Sequence, residues 1–282
     1  MIVIRMMAGL GNQMFQYALY KSLLSSGKIV YIDDSWYRKF KAHNDLEIEN
    51  IFNVSMQRAD HQIANRLGYA DYNLWQRFRQ KYLPKSSFRS QNVYDAIVFD
   101  KSIEKIDDVY LSGYWQSEKY FIKIANQIRK DFAFPVLPNS SMHEEVMKSN
   151  TVSIHIRRGD YVNNSLHGDV CDLSYYYRAI NYIRDHVSAP KFIIFSDDIL
   201  WCRDNLKLNE AVFVTGNYGK KSYVDMQLMS MCKHNIIANS SFSWWGAWLN
   251  SNPNKMVVAP RIWFRDKTYG TGDIIPDSWF QL

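Results

Sequence analysis

His155, Arg157, Arg158 and Asp160 follow directly on the apolar run Thr151-Val152-Ser153-Ile154. An imidazole, two guanidiniums and a carboxylate therefore crowd the mouth of what reads as a buried strand. Open α/β sheets bind ligands at the carboxyl ends of their strands, and a fixed guanidinium fork there suits a phosphate or diphosphate. The alternative is an Arg158–Asp160 ion pair that only stiffens a turn.

Three more clusters fall where a strand hands over to a helix. In Gly9-Leu10-Gly11-Asn12-Gln13, two glycines let backbone amides approach a ligand at a helix N-terminus; a plain tight turn explains them equally well. In Phe195-Ser196-Asp197-Asp198, a carboxylate suits guanine N–H groups or ribose hydroxyls, while Ser196 or Asp197 as a helix cap is the simpler reading. A metal on the paired carboxylates needs more oxygen ligands than the segment supplies. In Asn239-Ser240-Ser241-Phe242-Ser243-Trp244-Trp245-Gly246-Ala247-Trp248, hydroxyls and amides open a helix as an anion-ready N-terminus. Trp244 and Trp248 share a helical face and read as core. Asp225, a lone carboxylate in an apolar-periodic helix, is either a dipole-complementing surface residue or a nucleotide contact.

The elements that must position these residues follow a βα rhythm. Met1–Met6 and 28–32 are strands around a helix in 12–25, with apolar residues at Phe15, Leu19 and Leu23. Residues 38–108 are irregular and polar-aromatic, with helices expected around 55–66 and 72–81. A strand at 109–111 and a helix from a Ser117 cap to Lys130 follow. Phe134–Ser141, with Pro135 and Pro138, is the clearest linker signal. After it, strands at 151–156, 191–196, 211–214, 235–238 and 255–259 alternate with helices at 173–187, 198–206, 221–233 and 243–250, which implies a parallel sheet. The expected architecture is α/β, with a doubly wound domain at 1–138 carrying an insertion at about 38–108, a second at 139–282, and a cleft between them.

The 282 residues suffice for one or two such domains. A net charge of +6 fits an anionic ligand, an anionic membrane surface or nucleic acid. No RNP-type aromatic-basic motif supports nucleic acid, though a non-catalytic nucleotide- or RNA-binding protein stays open. Arg77, Arg79, Lys81, Lys85 and Arg89 stand together with no acidic residue between Asp71 and Asp95; this is a solvated face or a membrane-surface patch. Cys171, Cys202 and Cys232 are odd in number and widely spaced, as in reduced thiols of a cytoplasmic protein. No signal-peptide h-region and no apolar run of about 20 residues appear. The expected location is cytoplasmic, with peripheral attachment to the inner face of the plasma membrane left open by the basic run.

Taken together, MAGLGNQMFQYA (7–18), HIRRGDY (155–161), FIIFSDD (192–198) and NSSFSWWGAWL (239–249) resemble the bacterial α-1,2-fucosyltransferases, an inverting family that uses GDP-β-L-fucose. The resemblance spans nearly the whole chain and is poor across 38–108. It implies a GT-B-like fold, donor binding mainly by the C-terminal domain, and a galactose-terminated glycan acceptor, free or lipid-linked. Arg157 would hold the donor β-phosphate, supported by Arg158, with His155 on the nucleotide. Asp197 and Asp225 would recognise guanine or ribose. Asn239, Ser240, Ser241 and Phe242 would line the diphosphate and base, and Gly11, Asn12 and Gln13 would approach from the opposite wall. Relatives commonly carry glycine where Ala8 stands. No cofactor or metal is implied. Asp160 is either a general base or a buttress for Arg158. A fucosyltransferase of another linkage, such as α-1,6, is the near alternative.

Overall fold

The buried run Ile2–Arg5 becomes strand β1, and the glycine-bearing segment behind it delivers the chain into helix α1 (Leu10–Ser25). The computed structural model describes residues 1–282 apart from 41–43, 69–72, 138–140, 149 and 210. It divides into two units, Met1–Pro135 and Val136–Leu282.

In the first unit, β2 (Val30–Asp33), α2 (Ser35–Lys39), α3 (Ile48–Phe52), α4 (His61–Gly68) and α5 (Leu74–Tyr82) follow α1. Strands β3 (Phe88–Ser90) and β4 (Val109–Ser112) and helix α6 (Ala125–Asp131) complete it. The sheet order is β2-β1-β4-β3, every pair parallel. β1 and β4 are buried along their whole length, which is why each reads as a continuous apolar run rather than an alternation.

Three expectations need correction here. Residues 55–60 are not helical: the backbone at 57–59 lies along β2, with Ile32 N–H donating to Gln57 O and Ala59 N–H donating to Ile32 O, so the helix starts only at His61. The segment after Ser117 is not one helix. It makes two short 3₁₀ turns, Glu118–Tyr120 and Ile122–Ile124, before α6, because Phe121 (φ −136°) leaves helical geometry and buries against Phe15 of α1. The divergent 38–108 region also supplies β3, which joins the sheet beside β4. Of the helix expected at 72–81, residue 72 lies outside the described residues, as do Pro138, Asn139 and Ser140 of the expected linker.

The second unit runs α7 (Ser141–Met147), β5 (Thr151–Ile156), α8 (Leu173–His186), β6 (Lys191–Ser196), α9 (Ile199–Asn205), β7 (Val212–Phe213), α10 (Tyr223–Met231), β8 (His234–Ile236), α11 (Ser241–Leu249), β9 (Val257–Ala259) and β10 (Phe280–Gln281). Its all-parallel sheet has the order β10-β9-β8-β5-β6-β7. Counted within the unit this is the Rossmann order 3-2-1-4-5-6, whose direction of winding reverses between β5 and β8. The α/β class is thus as expected, with a parallel sheet in each unit. Val152, Ile154, Ile156, Tyr176, Ala179, Ile180, Ile183 and Ile194 form the core between β5, β6 and α8. Trp244 and Trp248 are core residues, stacked at 6.1 Å, and Trp244 Nε1 donates to Ile274 O.

Candidate active site

The reversal between β5 and β8 opens a crevice at their carboxyl ends, the place where such sheets take ligands. Parallel pairing fixes what lines it. β5 pairs β6 up to Ile156↔Ser196, so Arg157 stands opposite Asp197. On the other side the pairing Ile154↔Ile236 brings the residues after β8 to the same end, and Tyr161 Oη donates to Asn239 O at 3.1 Å.

Arg157 is gripped at both ends of its fork. Nη1 lies 2.9 Å from Asp197 Oδ2 and Nη2 lies 2.7 Å from Asp160 Oδ1, while the guanidinium sits 5.7 Å from the centre of the Tyr161 ring. The side chain remains 30% exposed, so the charge is oriented yet still reachable. Asp197 uses its second oxygen, Oδ1, to accept the Arg158 backbone N–H at 2.8 Å. A β-carbon on Gly159 would stand 2.7 Å from Asp197 Oδ2; only glycine admits the carboxylate so close to the turn.

Arg158 takes a different direction. Its guanidinium stacks 3.6 Å above the Trp201 ring and its Nε pairs with Asp198 Oδ2 at 3.1 Å. The expected Arg158–Asp160 pair is therefore replaced by Arg158–Asp198 and Arg157–Asp160. One further reading changes for the same reason. Asp198, not Ser196 or Asp197, caps α9, accepting the Trp201 N–H. Asp197 gives one bond from each oxygen to the arginine turn and keeps its side chain 26% exposed, so acceptor capacity remains beside the fork.

His155 is the last buried polar side chain of β5, 5% exposed, and its Nδ1 has no hydrogen-bond partner among the described residues. Burial pushes the imidazole down to about 4, against the pull of Asp197 and with the push of Arg157, so it is neutral at physiological pH. A buried ring nitrogen without a partner costs free energy and is a natural contact for a ligand. The Phe242 ring lies 5.7 Å away, at the start of α11. Ser240 is buried, and Ser241 and Phe242 are half-buried at that helix start, where Ser240 makes no side-chain cap bond. Asn239 is occupied: its Nδ2 donates to His167 O and Trp263 O, tying two loops together. Asp225 accepts from Asn217 Nδ2 at 2.7 Å, and burial pushes its carboxyl up to about 6, partly opposed by that bond. Among the described residues no hydrogen bond or ion pair joins it to the arginine turn.

Gly11, Asn12 and Gln13 belong to the first unit, in the first turn of α1 beside the ends of β1 and β4. Asn12 Oδ1 accepts from Gln116 Nε2. Gln13 is wholly internal: Nε2 donates to Ala8 O and Asp45 O, and Oε1 accepts from the N–H groups of Glu47 and Ile48. Its amide has no capacity left for a ligand, so the expectation that Gln13 contacts donor is corrected to an anchor for the loop.

Tyr161, Trp201, Asp198 and Gly159 are site residues that sequence reasoning missed as such. Tyr161 and Gly159 lie inside the arginine motif. Asp198 with the Trp201 N–H three residues on has cap spacing, a local signal for the first turn of a helix. The three thiols are free, and burial pushes Cys171 and Cys232 up to about 12 and Cys202 up to about 11.

The family model for glycosyl transferase family 11 matches residues 1–281. An alpha-1,2-colitosyltransferase of Escherichia coli is 33% identical over 100% of this chain and 98% of its own length. The O-antigen biosynthesis glycosyltransferase WbnK, also of Escherichia coli, is 31% identical over 97% of this chain and 98% of its own. The galactoside alpha-(1,2)-fucosyltransferase 2 of Oryctolagus cuniculus is 24% identical over 100% of this chain and 72% of its own.

Proposed function

The chain belongs to glycosyl transferase family 11, and from that premise we propose that it transfers L-fucose from GDP-β-L-fucose, with inversion, to the 2-hydroxyl of a terminal β-galactose in an O-antigen or related surface glycan. It is a glycosyltransferase similar to O-antigen enzymes and α-1,2-fucosyltransferases.

One observation carries it: a two-sided carboxylate clamp holds Arg157, still partly exposed, at the β5/β8 crevice. Breaking the bond between fucose and GDP leaves extra negative charge on the β-phosphate. A guanidinium already oriented there gains more from the transition state than from the ground state. Its remaining N–H donors meet the phosphate oxygens. Arg158, stacked on Trp201 and paired with Asp198, adds positive potential and rigidity rather than a second fork. Neutral His155 offers Nδ1 to the nucleotide, and Asp225, ionised above about pH 6, accepts from guanine N–H groups. Asp160, turned to Arg157, orients the fork rather than removing the acceptor proton.

The 33% identical colitosyltransferase favours a second reading, in which the donor carries a colitosyl group. Transfer from GDP-fucose and from the colitosyl nucleotide to lactose, N-acetyllactosamine and Galβ1-3GalNAc, with the linkage read by NMR, tests both. An α-1,2-fucosyl product supports the proposal. A colitosyl-only product supports the second reading, and an α-1,6 product sinks both.

A further inference from the structure

Helix α5 wears its amphipathicity inside out. On a wheel of about 100° per residue, Leu74, Trp75, Phe78 and Tyr82 fall within one arc of roughly a quarter turn, and Gln76 and Gln80 lie opposite. Burial would normally turn the apolar arc inward. Here the polar side faces the protein: Gln80 Nε2 donates to Gly68 O at 3.0 Å and Gln76 Nε2 reaches Asn65 Oδ1 at 3.5 Å, both on α4. None of the nine residues of α5 is buried, and the apolar arc with the adjoining Leu83 is exposed by between 47% (Phe78) and 83% (Leu74). The outward rings form their own row, with Trp75 stacked on Phe78 at 5.8 Å and Phe78 against Tyr82 at 4.8 Å.

Charge frames this row. Lys85 turns its Nζ to the carbonyls at the end of α4, and Arg89 turns to Ser102 and Asp100. Arg77 and Lys81 then flank one side of the apolar arc and Arg79 the other. The sequence between Asp71 and Asp95 holds five basic residues and no acidic one, against a net charge of +6 for the whole chain. A protein partner would meet mixed charges at such a rim. An aromatic ridge on a helix that carries three cations and no acidic residue instead matches a bilayer interface, where Trp and Tyr settle at headgroup depth and Lys and Arg meet anionic lipid. We propose that α5 is a peripheral docking element for an anionic lipid bilayer, seated through Leu74, Trp75, Phe78, Tyr82 and Leu83 and drawn down by Arg77, Arg79 and Lys81. No helix among the described residues is long and apolar enough to cross a membrane, so the contact is interfacial.

Co-sedimentation of the full chain with phosphatidylglycerol-rich and with pure phosphatidylcholine vesicles tests this. Partitioning onto the anionic vesicles should be about tenfold or more the stronger, and should fade as salt rises. Trp75→Ser with Phe78→Ser, and separately Arg77→Gln with Arg79→Gln and Lys81→Gln, should each lower it by about tenfold or more with unchanged thermal melts; Trp75→Phe should retain it. Equal binding to both lipids, no binding, or variants that bind like the parent would overturn the proposal. So would a size-exclusion dimer that the aromatic variant dissolves without any vesicle binding, because the row would then be a contact between copies.

Discussion

Gly159 and Asp197 meet where a single methyl group would not fit: a β-carbon on the glycine would stand 2.7 Å from Oδ2, the oxygen that holds Arg157 Nη1 at 2.9 Å. Gly159→Ala should push Asp197 off the arginine turn while leaving the sheet intact. We expect turnover to fall by about tenfold, with kcat affected more than KM, because the loss concerns a fork whose orientation matters most in the transition state. Unchanged kcat would show that the clamp is dispensable.

Arg157→Lys keeps the charge and removes the bidentate fork. Transfer should drop by about 10²–10³-fold, the range for losing one preorganised donor, with an unaltered melting curve. Near-parental transfer would refute a phosphate role for this side chain.

The guanidinium supplies the positive charge at the leaving phosphate in our reading, so transfer should persist in EDTA. Strict dependence on Mn²⁺ or Mg²⁺ would overturn the arginine account.

Asp225 has a carboxyl pushed up to about 6 by burial, above the unfolded value near 3.9. The sign follows from linkage: the folded state takes up this proton first as pH falls through about 6. The group therefore stabilises the fold only at low pH and costs stability above pH 6, where the buried carboxylate is ionised. Asp225→Asn should raise stability by about 2 kcal/mol at pH 7.5 and change little below pH 4, as urea titrations at the two pH values would read. The same variant should weaken GDP binding. Equal stability changes at both pH values would contradict the burial argument.

Ala8 holds φ +66° in the loop before α1, its carbonyl fixed by Gln13 Nε2 and Tyr37 Oη. Left-handed geometry disfavours a residue with a β-carbon. Ala8→Gly should stabilise the chain by about 1 kcal/mol and raise Tm by a few degrees. A lowered Tm would mean that the bonds to the carbonyl do not hold the loop in that geometry.

The sequence by itself determined the parallel α/β character, most strands and the ends at which ligands gather. Buried parallel strands are continuous apolar runs, and the chemistry follows each run directly in the chain, as in Ile154–Arg158 and Ile237–Phe242. Partner choice needed the tertiary structure. Arg158 meets Asp198 and Arg157 meets Asp197, separated by 40 residues along the chain, because the β5–β6 register aligns their strand ends. Local spacing had favoured Arg158 with Asp160. The resemblance places Gln13 on the donor, yet three hydrogen bonds with a loop more than thirty residues away and a fourth to Ala8 O saturate its amide. The sense of α5 was equally hidden: an amphipathic period fixes which residues share a face, and only packing against α4 decides which face meets solvent.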